Sequence, residues 1–381
     1  MPDANEYGDT GSNSLGNLVR VEQNLKLPNL ERWGMGNITP MGDAAHPRKP
    51  HLCTAGFGKL AELSKGKDTT SGHWEMAGIV TETAFTTYPN GFPESAVREW
   101  VTACNLPGVL GNKAASGTEI IKELGEEHIK TGKPILYTSA DSVWQIAAHE
   151  DDLIFGLDRL YEVSKVARKI ADKLQLSRVI ARPFIGKTSA DFSRTHRRKD
   201  YSQLPPAKTT MDLLKEHQIH TLGVGKISNI FAGQGIHDNL DTKNNSDGLK
   251  TLKTVLDRGD RGFIFVNLID FDMLYGHRRD TKGFAAALEE FDSFIPTLEA
   301  SLSENDLVLI TADHGNDPTY RGTDHTREYV PLLAYRKGVP GCDLGTRVSF
   351  ADLGQTVLHA LTGKSNLQKQ GTSFFSMYES S

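Results

Sequence analysis

The sequence predicts a layered α/β protein with a second α/β domain inserted into the first, and three observations carry that reading. Short apolar runs recur at 220–225, 263–269, 307–311 and 330–335. Runs of that length are the kind buried in parallel sheets. Between two of them Phe284, Leu288, Phe291, Ile295, Leu298 and Leu302 step by four and three, which makes one apolar stripe along a helix. Two Pro-containing segments with little periodicity, Tyr88-Pro-Asn-Gly-Phe-Pro93 and Gln203-Leu-Pro-Pro-Ala207, bracket a stretch that has an α/β pattern of its own.

Within the bracketed stretch, Ser116-Gly-Thr-Glu119 reads as a capping box opening a helix that carries Ile120, Ile121 and Leu124. Pro134-Ile-Leu-Tyr-Thr138 reads as a strand. Leu160, Val163, Val166, Ala167, Ile170 and Leu174 fall at helical spacing, and a strand follows at 178–184. The insertion is thus a domain of roughly 115 residues, placed at 89–205, with 1–88 and 206–381 forming the discontinuous core. Pro296, inside the long apolar stripe, is expected to kink or interrupt that helix. Ligands on such sheets gather at the carboxyl ends of strands, so the residues there carry the functional argument.

Composition narrows the function. At 381 residues the chain has room for two or three domains, and 38% hydrophobic with 24% charged residues suits a soluble globular protein. The net charge of −5, with no Lys/Arg run, argues against nucleic acid or an anionic membrane as partner. No apolar stretch approaches the roughly 20 residues needed to span a bilayer. The polar, acidic N-terminal stretch is unlike a signal peptide. Cys53, Cys104 and Cys342 are widely spaced, without a C-x-x-C pair, which suits a reducing cytoplasm better than a disulfide framework.

The chemistry-bearing residues sit at predicted strand ends. Phe265-Val-Asn-Leu-Ile-Asp-Phe-Asp272 ends in an acidic pair and is followed by His277. Leu307-Val-Leu-Ile-Thr-Ala-Asp313-His314-Gly315 repeats the pattern, and His325 follows in Gly-Thr-Asp-His-Thr-Arg327. Asp272, His277, Asp313, His314 and His325 make an oxygen and nitrogen set suited to divalent manganese or zinc, and poor for calcium. Adjacent Asp313 and His314 can point to opposite sides of the chain and so serve two ions about 4 Å apart, the usual apparatus of in-line phosphoryl displacement. One Asp-His pair among 13 histidines is more often a satisfied loop pair. Three such features, two of them at strand ends, reverse that preference.

Two weaker signals stand beside this one. Gly66-Lys-Asp-Thr69-Thr70-Ser71-Gly72-His73-Trp74-Glu75 places small hydroxyl residues between glycines ahead of a possible helix, where a nearby metal would make a hydroxyl a competent nucleophile. Alone it is ordinary turn chemistry. Arg194, Arg197 and Arg198 cluster in the insertion, with Arg182 after another strand and Lys226 at a strand end in the core. Singly each reads as a solvated charge, but the group suits an anion.

Together these stretches resemble the phosphopentomutases of the alkaline-phosphatase superfamily. The resemblance rests on Gly66-Lys-Asp-Thr-Thr-Ser-Gly-His-Trp-Glu75, Tyr137-Thr-Ser-Ala-Asp-Ser142, Val179-Ile-Ala-Arg-Pro-Phe-Ile-Gly186, Asp270-Phe-Asp272 with Gly276-His-Arg-Arg279, Thr311-Ala-Asp-His-Gly315 and Gly322-Thr-Asp-His-Thr-Arg327, and it continues to Ala351-Asp-Leu-Gly-Gln355. It implies an alkaline-phosphatase-like layered α/β/α core with an inserted α/β cap domain. It further implies two Mn2+, one on Asp272, His277 and His325, the other on Asp313 and His314, with Thr69 as the phosphate-carrying nucleophile. Asp141, Arg194 and Lys226 match segments that face the sugar phosphate. The implied reaction interconverts ribose or deoxyribose 1-phosphate and 5-phosphate through a 1,5-bisphosphate, with a sugar bisphosphate as priming activator and no protein partner.

The resemblance also carries an expectation about the start. Relatives open with a strand ending in an Asp that joins Asp313 and His314 on one ion, whereas Met1-Pro-Asp-Ala-Asn looks like the segment just after it. None of Asp3, Glu6 and Asp9 matches that ligand. This leaves a catalytically impaired sugar-phosphate-binding protein as the alternative from another class. A hydrolase or phosphoglycerate mutase of the same superfamily is the other enzyme reading, opposed by the Gly-His-Trp-Glu loop.

Overall fold

The computed structural model describes residues 1–139 and 142–378. The chain divides into two compact units, one of Met1–Ala84 with Pro205–Ser381 and one of Phe85–Leu204. In the first unit, helices α1 (Ser14–Val21) and α2 (Pro28–Trp33) lead to strand β1 (Gly56–Leu60) and then α3 (Thr69–Met76). The second unit runs α4 (Glu94–Ala103), β2 (Leu110–Ala114), α5 (Gly117–Thr131), β3 (Ile135–Thr138), β4 (Val143–His149), α6 (Leu157–Lys173), β5 (Arg178–Ile185), β6 (Ser193–Arg194) and β7 (Lys199–Ser202). The chain then returns to the first unit with α7 (Thr210–Glu216), β8 (Thr221–Val224), α8 (Ile227–Ile230), β9 (Asp238–Leu240), α9 (Asn245–Asp257) and β10 (Phe263–Val266). A π-helical turn (Phe271–Gly276), α10 (Thr281–Ser301), β11 (Leu307–Ile310), β12 (Val330–Arg336), β13 (Asp343–Arg347) and α11 (Ala351–Thr362) complete it.

Among the described residues the first unit has two sheets. One is ordered β10-β8-β9 and wholly parallel, as βα crossovers through α8 and α9 require. The other is ordered β11-β12-β1-β13, with β12 antiparallel to both its neighbours and β1 parallel to β13. The four apolar runs therefore form strands as expected, but they do not all behave as buried parallel ones. Central β8 is fully buried, while β10 and β11 are half-buried because each lies at the edge of its sheet. The second unit is a six-stranded sheet, β2-β3-β4-β5-β6 with β7 also pairing β5. Trp100, Trp144, Leu160 and Ile170 fill its core, and the Trp100 indole donates to the Val163 carbonyl at 2.9 Å. Ser116 is the N-cap of α5, but its hydroxyl makes no capping hydrogen bond.

Pro296 does not interrupt its helix and sits inside α10. A proline removes the N–H that would bond the carbonyl four residues earlier, here that of Asp292. That carbonyl instead accepts the Asn29 side-chain N–H at 3.1 Å. The Asp292 carboxylate in turn accepts the Leu30 N–H at 2.7 Å and the Asn29 N–H at 3.3 Å, capping the first turn of α2 from another helix. One buried residue thus satisfies the orphan donors of α2, while Asn29 satisfies the orphan acceptor of α10. Asp292→Ala should lower the unfolding free energy of this unit by about 1–3 kcal/mol, because two amides lose their acceptor. Urea denaturation followed by core tryptophan fluorescence measures it, and an unchanged midpoint would show that water replaces the carboxylate.

Candidate metal centre

The helix that carries Thr69 forms because its first turn is capped. The Asp68 carboxylate accepts from the Thr70 and Ser71 N–H groups at 3.0 and 3.2 Å and from the Ser71 hydroxyl at 2.7 Å. Thr69 is the first helical residue, and its Oγ1 lies 3.3 Å from His314 Nε2. The helix lies directly on the chain segment that carries Asp313. A Cβ placed on Gly72 would meet the Asp313 carbonyl oxygen at 1.8 Å, so no larger residue permits that approach.

The two acidic strand ends meet the histidines here. Asp272, on the π-helical turn after β10, and His314, after β11, lie with His325 so that one ligand atom from each falls within 4.8 Å of the others. Asp272 Oδ1 is 3.1 Å from His325 Nε2 and 3.3 Å from His277 Nε2, and it accepts the Asn316 side-chain N–H at 2.6 Å. On the other side of His314, Asp313 Oδ2 lies 3.3 Å from His314 Nε2 and 3.0 Å from His73 Nδ1. The His314 and His325 loops are locked together by a bridge between Gly315 and Thr326, whose N–H donates to the Gly315 carbonyl at 2.8 Å. His314 therefore stands between Asp272 with His325 and Asp313 with Thr69.

The protonation pattern fits cation binding. His277 Nδ1 lies 2.6 Å from the Thr323 carbonyl, and His314 Nδ1 lies 3.1 Å from the Gly315 carbonyl. A carbonyl only accepts, so each Nδ1 carries a proton. Each Nε2 faces a carboxylate oxygen at 3.3 Å, nitrogen and oxygen atoms of the kind that hold a divalent cation. Burial lowers the His314 imidazole, in the direction that metal ligation favours. Burial acts to raise both carboxyls, yet the His277 and His325 imidazoles hold Asp272 well below the usual carboxylate range, and His314 with His73 brings Asp313 to about 2.

The remaining anticipated residues are more dispersed. Lys226 is the residue before α8, at the end of β8, and its ammonium reaches the Met273 sulfur next to Asp272. Arg194 lies in the second unit on β6. Of its two companions, Arg197 is 3.7 Å from Glu150 and Arg198 pairs with Asp200 at 2.6 Å, whereas Arg194 makes no ion pair among the described residues. Asp141 lies outside the described residues.

His73 and Arg327 lie within the motifs of the sequence without a role marked for either, and Asn316 lies one residue beyond Thr311-Ala-Asp-His-Gly315. Arg327 is 2% exposed. It donates from Nε and Nη2 to Asp3 Oδ2 at 3.1 and 2.9 Å, and from Nη1 to Glu62 Oε2 at 2.9 Å. It also donates to the carbonyls of Glu62, Ser64 and Gly66 at 2.7, 2.8 and 3.1 Å. Its own N–H donates to Asp9 Oδ2 at 2.9 Å, the oxygen that also pairs with Lys67. Asp3 and Asp9 are thus engaged with Arg327 and Lys67. Burial pushes the Glu62 carboxyl up to about 9 against the pull of Arg327, and Asp3 is the second carboxylate beside the guanidinium.

The model of the metalloenzyme superfamily matches residues 1–365. A phosphopentomutase from Symbiobacterium thermophilum is 54% identical over 364 residues, covering 95% of this chain and 91% of its own. Those of Anaeromyxobacter sp. and Clostridium acetobutylicum are 51% and 48% identical, covering 98% and 96% of this chain and 94% and 93% of theirs.

The raised Glu62 carboxyl has a pH signature. Its stabilising contribution is fully present below the unfolded-state value of 4.5 and is lost as pH rises through about 9. Glu62→Gln removes the titration while keeping the shape, so the fall in thermal midpoint between about pH 5 and about pH 9 should be shallower in the variant. Parallel profiles for the two proteins would mean that Glu62 is ionised throughout.

Proposed function

The chain belongs to the phosphopentomutase family within the metalloenzyme superfamily, and we propose that it interconverts pentose 1-phosphate and 5-phosphate through a phosphorylated Thr69 and a 1,5-bisphosphate. The observation that carries the nucleophile assignment is the position of Thr69. It is a hydroxyl at a helix N-terminus, 3.3 Å from an imidazole that itself adjoins two carboxylates.

In this reading Asp272, His277 and His325 hold one divalent cation and Asp313 with His314 the other, both manganese. When bound, such ions neutralise phosphate charge and lower the pKa of an adjacent hydroxyl. The chain's own groups do the rest. Thr69 stands at the N-terminus of α3, whose dipole favours the negative charge of a phosphate there, while the Thr70 and Ser71 amides stay with Asp68. The free hydroxyl of a pentose monophosphate attacks that phosphorus. The Oγ–P bond breaks, a sugar O–P bond forms, and the sugar proton is exchanged for one on the freed threonine. The resulting bisphosphate reorients, and Thr69 attacks its other phosphate, which returns the enzyme to its phosphorylated form and releases the isomer. A sugar bisphosphate primes the first phosphorylation. Arg194, Lys226 and Asp141 position the sugar phosphate, with Arg194 supplying a bidentate guanidinium to the non-reacting phosphate.

Conversion of ribose 1-phosphate to ribose 5-phosphate, followed by phosphorus NMR with Mn2+ and a trace of bisphosphate, tests this directly. Turnover should vanish in Thr69→Ala and after chelation, and manganese should restore only the chelated wild type. Arg194→Ala should retain phosphothreonine but raise KM about tenfold to a hundredfold, the loss of one charged hydrogen-bond partner. Undiminished turnover in Thr69→Ala would remove the phosphothreonine from the cycle.

A further inference from the structure

His73 is buried, and one of its ring nitrogens meets two acceptors. Nδ1 lies 2.9 Å from the Thr69 carbonyl, one turn back along α3, and 3.0 Å from Asp313 Oδ2. A carbonyl and a carboxylate both accept, so this nitrogen carries a proton shared between them. That excludes Nδ1 as a metal donor. The ring has little room to turn, with Phe265 and Phe231 centred 5.6 and 6.4 Å away. Its helix has little room to slide, because Gly72 already brings the main chain against Asp313. One N–H therefore ties the residue bearing the nucleophile to a carboxylate 244 positions further along the chain.

We propose that His73 is a positioning residue: its Nδ1–H aims Asp313 Oδ2 and fixes the first turn of α3, so that Thr69 and the Asp313–His314 ligand pair hold one separation. The proposal rests on the two-cation phosphothreonine reading above and adds to it a residue that touches neither substrate nor metal. Carboxylates that hold metals are themselves held by such hydrogen bonds, and losing one costs about 10–100-fold in metal affinity or activity.

Two substitutions separate positioning from packing. His73→Phe keeps the ring and its contacts but has no N–H. His73→Asn loses the ring yet places an amide N–H near the position of Nδ1. A role in packing ranks the phenylalanine variant above the asparagine variant in every measurement; positioning reverses that order for metal and nucleophile while leaving it in thermal stability. We expect His73→Phe to melt near the wild type, yet to bind Mn2+ about 10–100-fold more weakly by calorimetry and to carry less phosphothreonine by intact mass. His73→Asn should melt lower but recover most of both. Wild-type manganese affinity and phosphothreonine content in His73→Phe, or the packing order in both readouts, would overturn the proposal. The calorimetric comparison needs no turnover, so a wild type inactive on pentose phosphates would count against the proposed reaction and not against this assignment.

Discussion

The Arg327 guanidinium is sealed from solvent, and much of the site's architecture follows from where its N–H groups go. A buried guanidinium is tolerable only if every donor finds an acceptor and its charge a partner. Three of its acceptors are the main-chain carbonyls of Glu62, Ser64 and Gly66, the segment that delivers Thr69 to its position. The charge is met by Asp3, so the N-terminal segment is drawn in as well. Because Arg327 follows His325 by two residues, satisfying it also sets one of the histidines. The Tyr7 ring, centred 4.7 Å from the guanidinium carbon, adds a cation–π contact that dry surroundings strengthen. Other ties of the same kind join the segments. The Ser14 N–H and hydroxyl donate to Glu328 at 2.7 and 3.0 Å, and the Asn316 N–H donates to the Ser14 hydroxyl at 3.1 Å.

On this frame the acids and imidazoles are brought within reach of one another. The Nε2 atoms of His277 and His314 face carboxylate oxygens, and the backbone carbonyls of Thr323 and Gly315 accept from Nδ1 and so orient the rings.

The elements that could be read in the chain were those whose physics is local. Apolar runs and the helical stripe of α10 follow from periodicity, and Asp272, Asp313 and His314 were noticed because ligand-type residues come directly after apolar runs. What could not be read depends on partners far along the chain. His73 looks like a member of a turn motif until Asp313 is placed 3.0 Å away. Arg327 looks like a surface charge until Glu62 and Asp3 surround it. The direction of β12 was equally hidden, because an apolar run carries no sign of whether its neighbours run with it or against it. The half-burial of β10 and β11 is a matter of sheet order, which no single run encodes.

The arrangement around Pro296 has a consequence for how this protein tolerates change. Asn29 matters to α10 only because residue 296 lacks an N–H; with any other residue there, the Asp292 carbonyl regains its helical donor and the Asn29 amide becomes redundant to it. The effects of replacing Asn29 and Pro296 will therefore not sum, although 267 positions separate them in the chain. The two positions form an epistatic pair, in which the order of substitution decides whether the intermediate is burdened or neutral. Replacing the proline first opens a path that replacing the asparagine first closes.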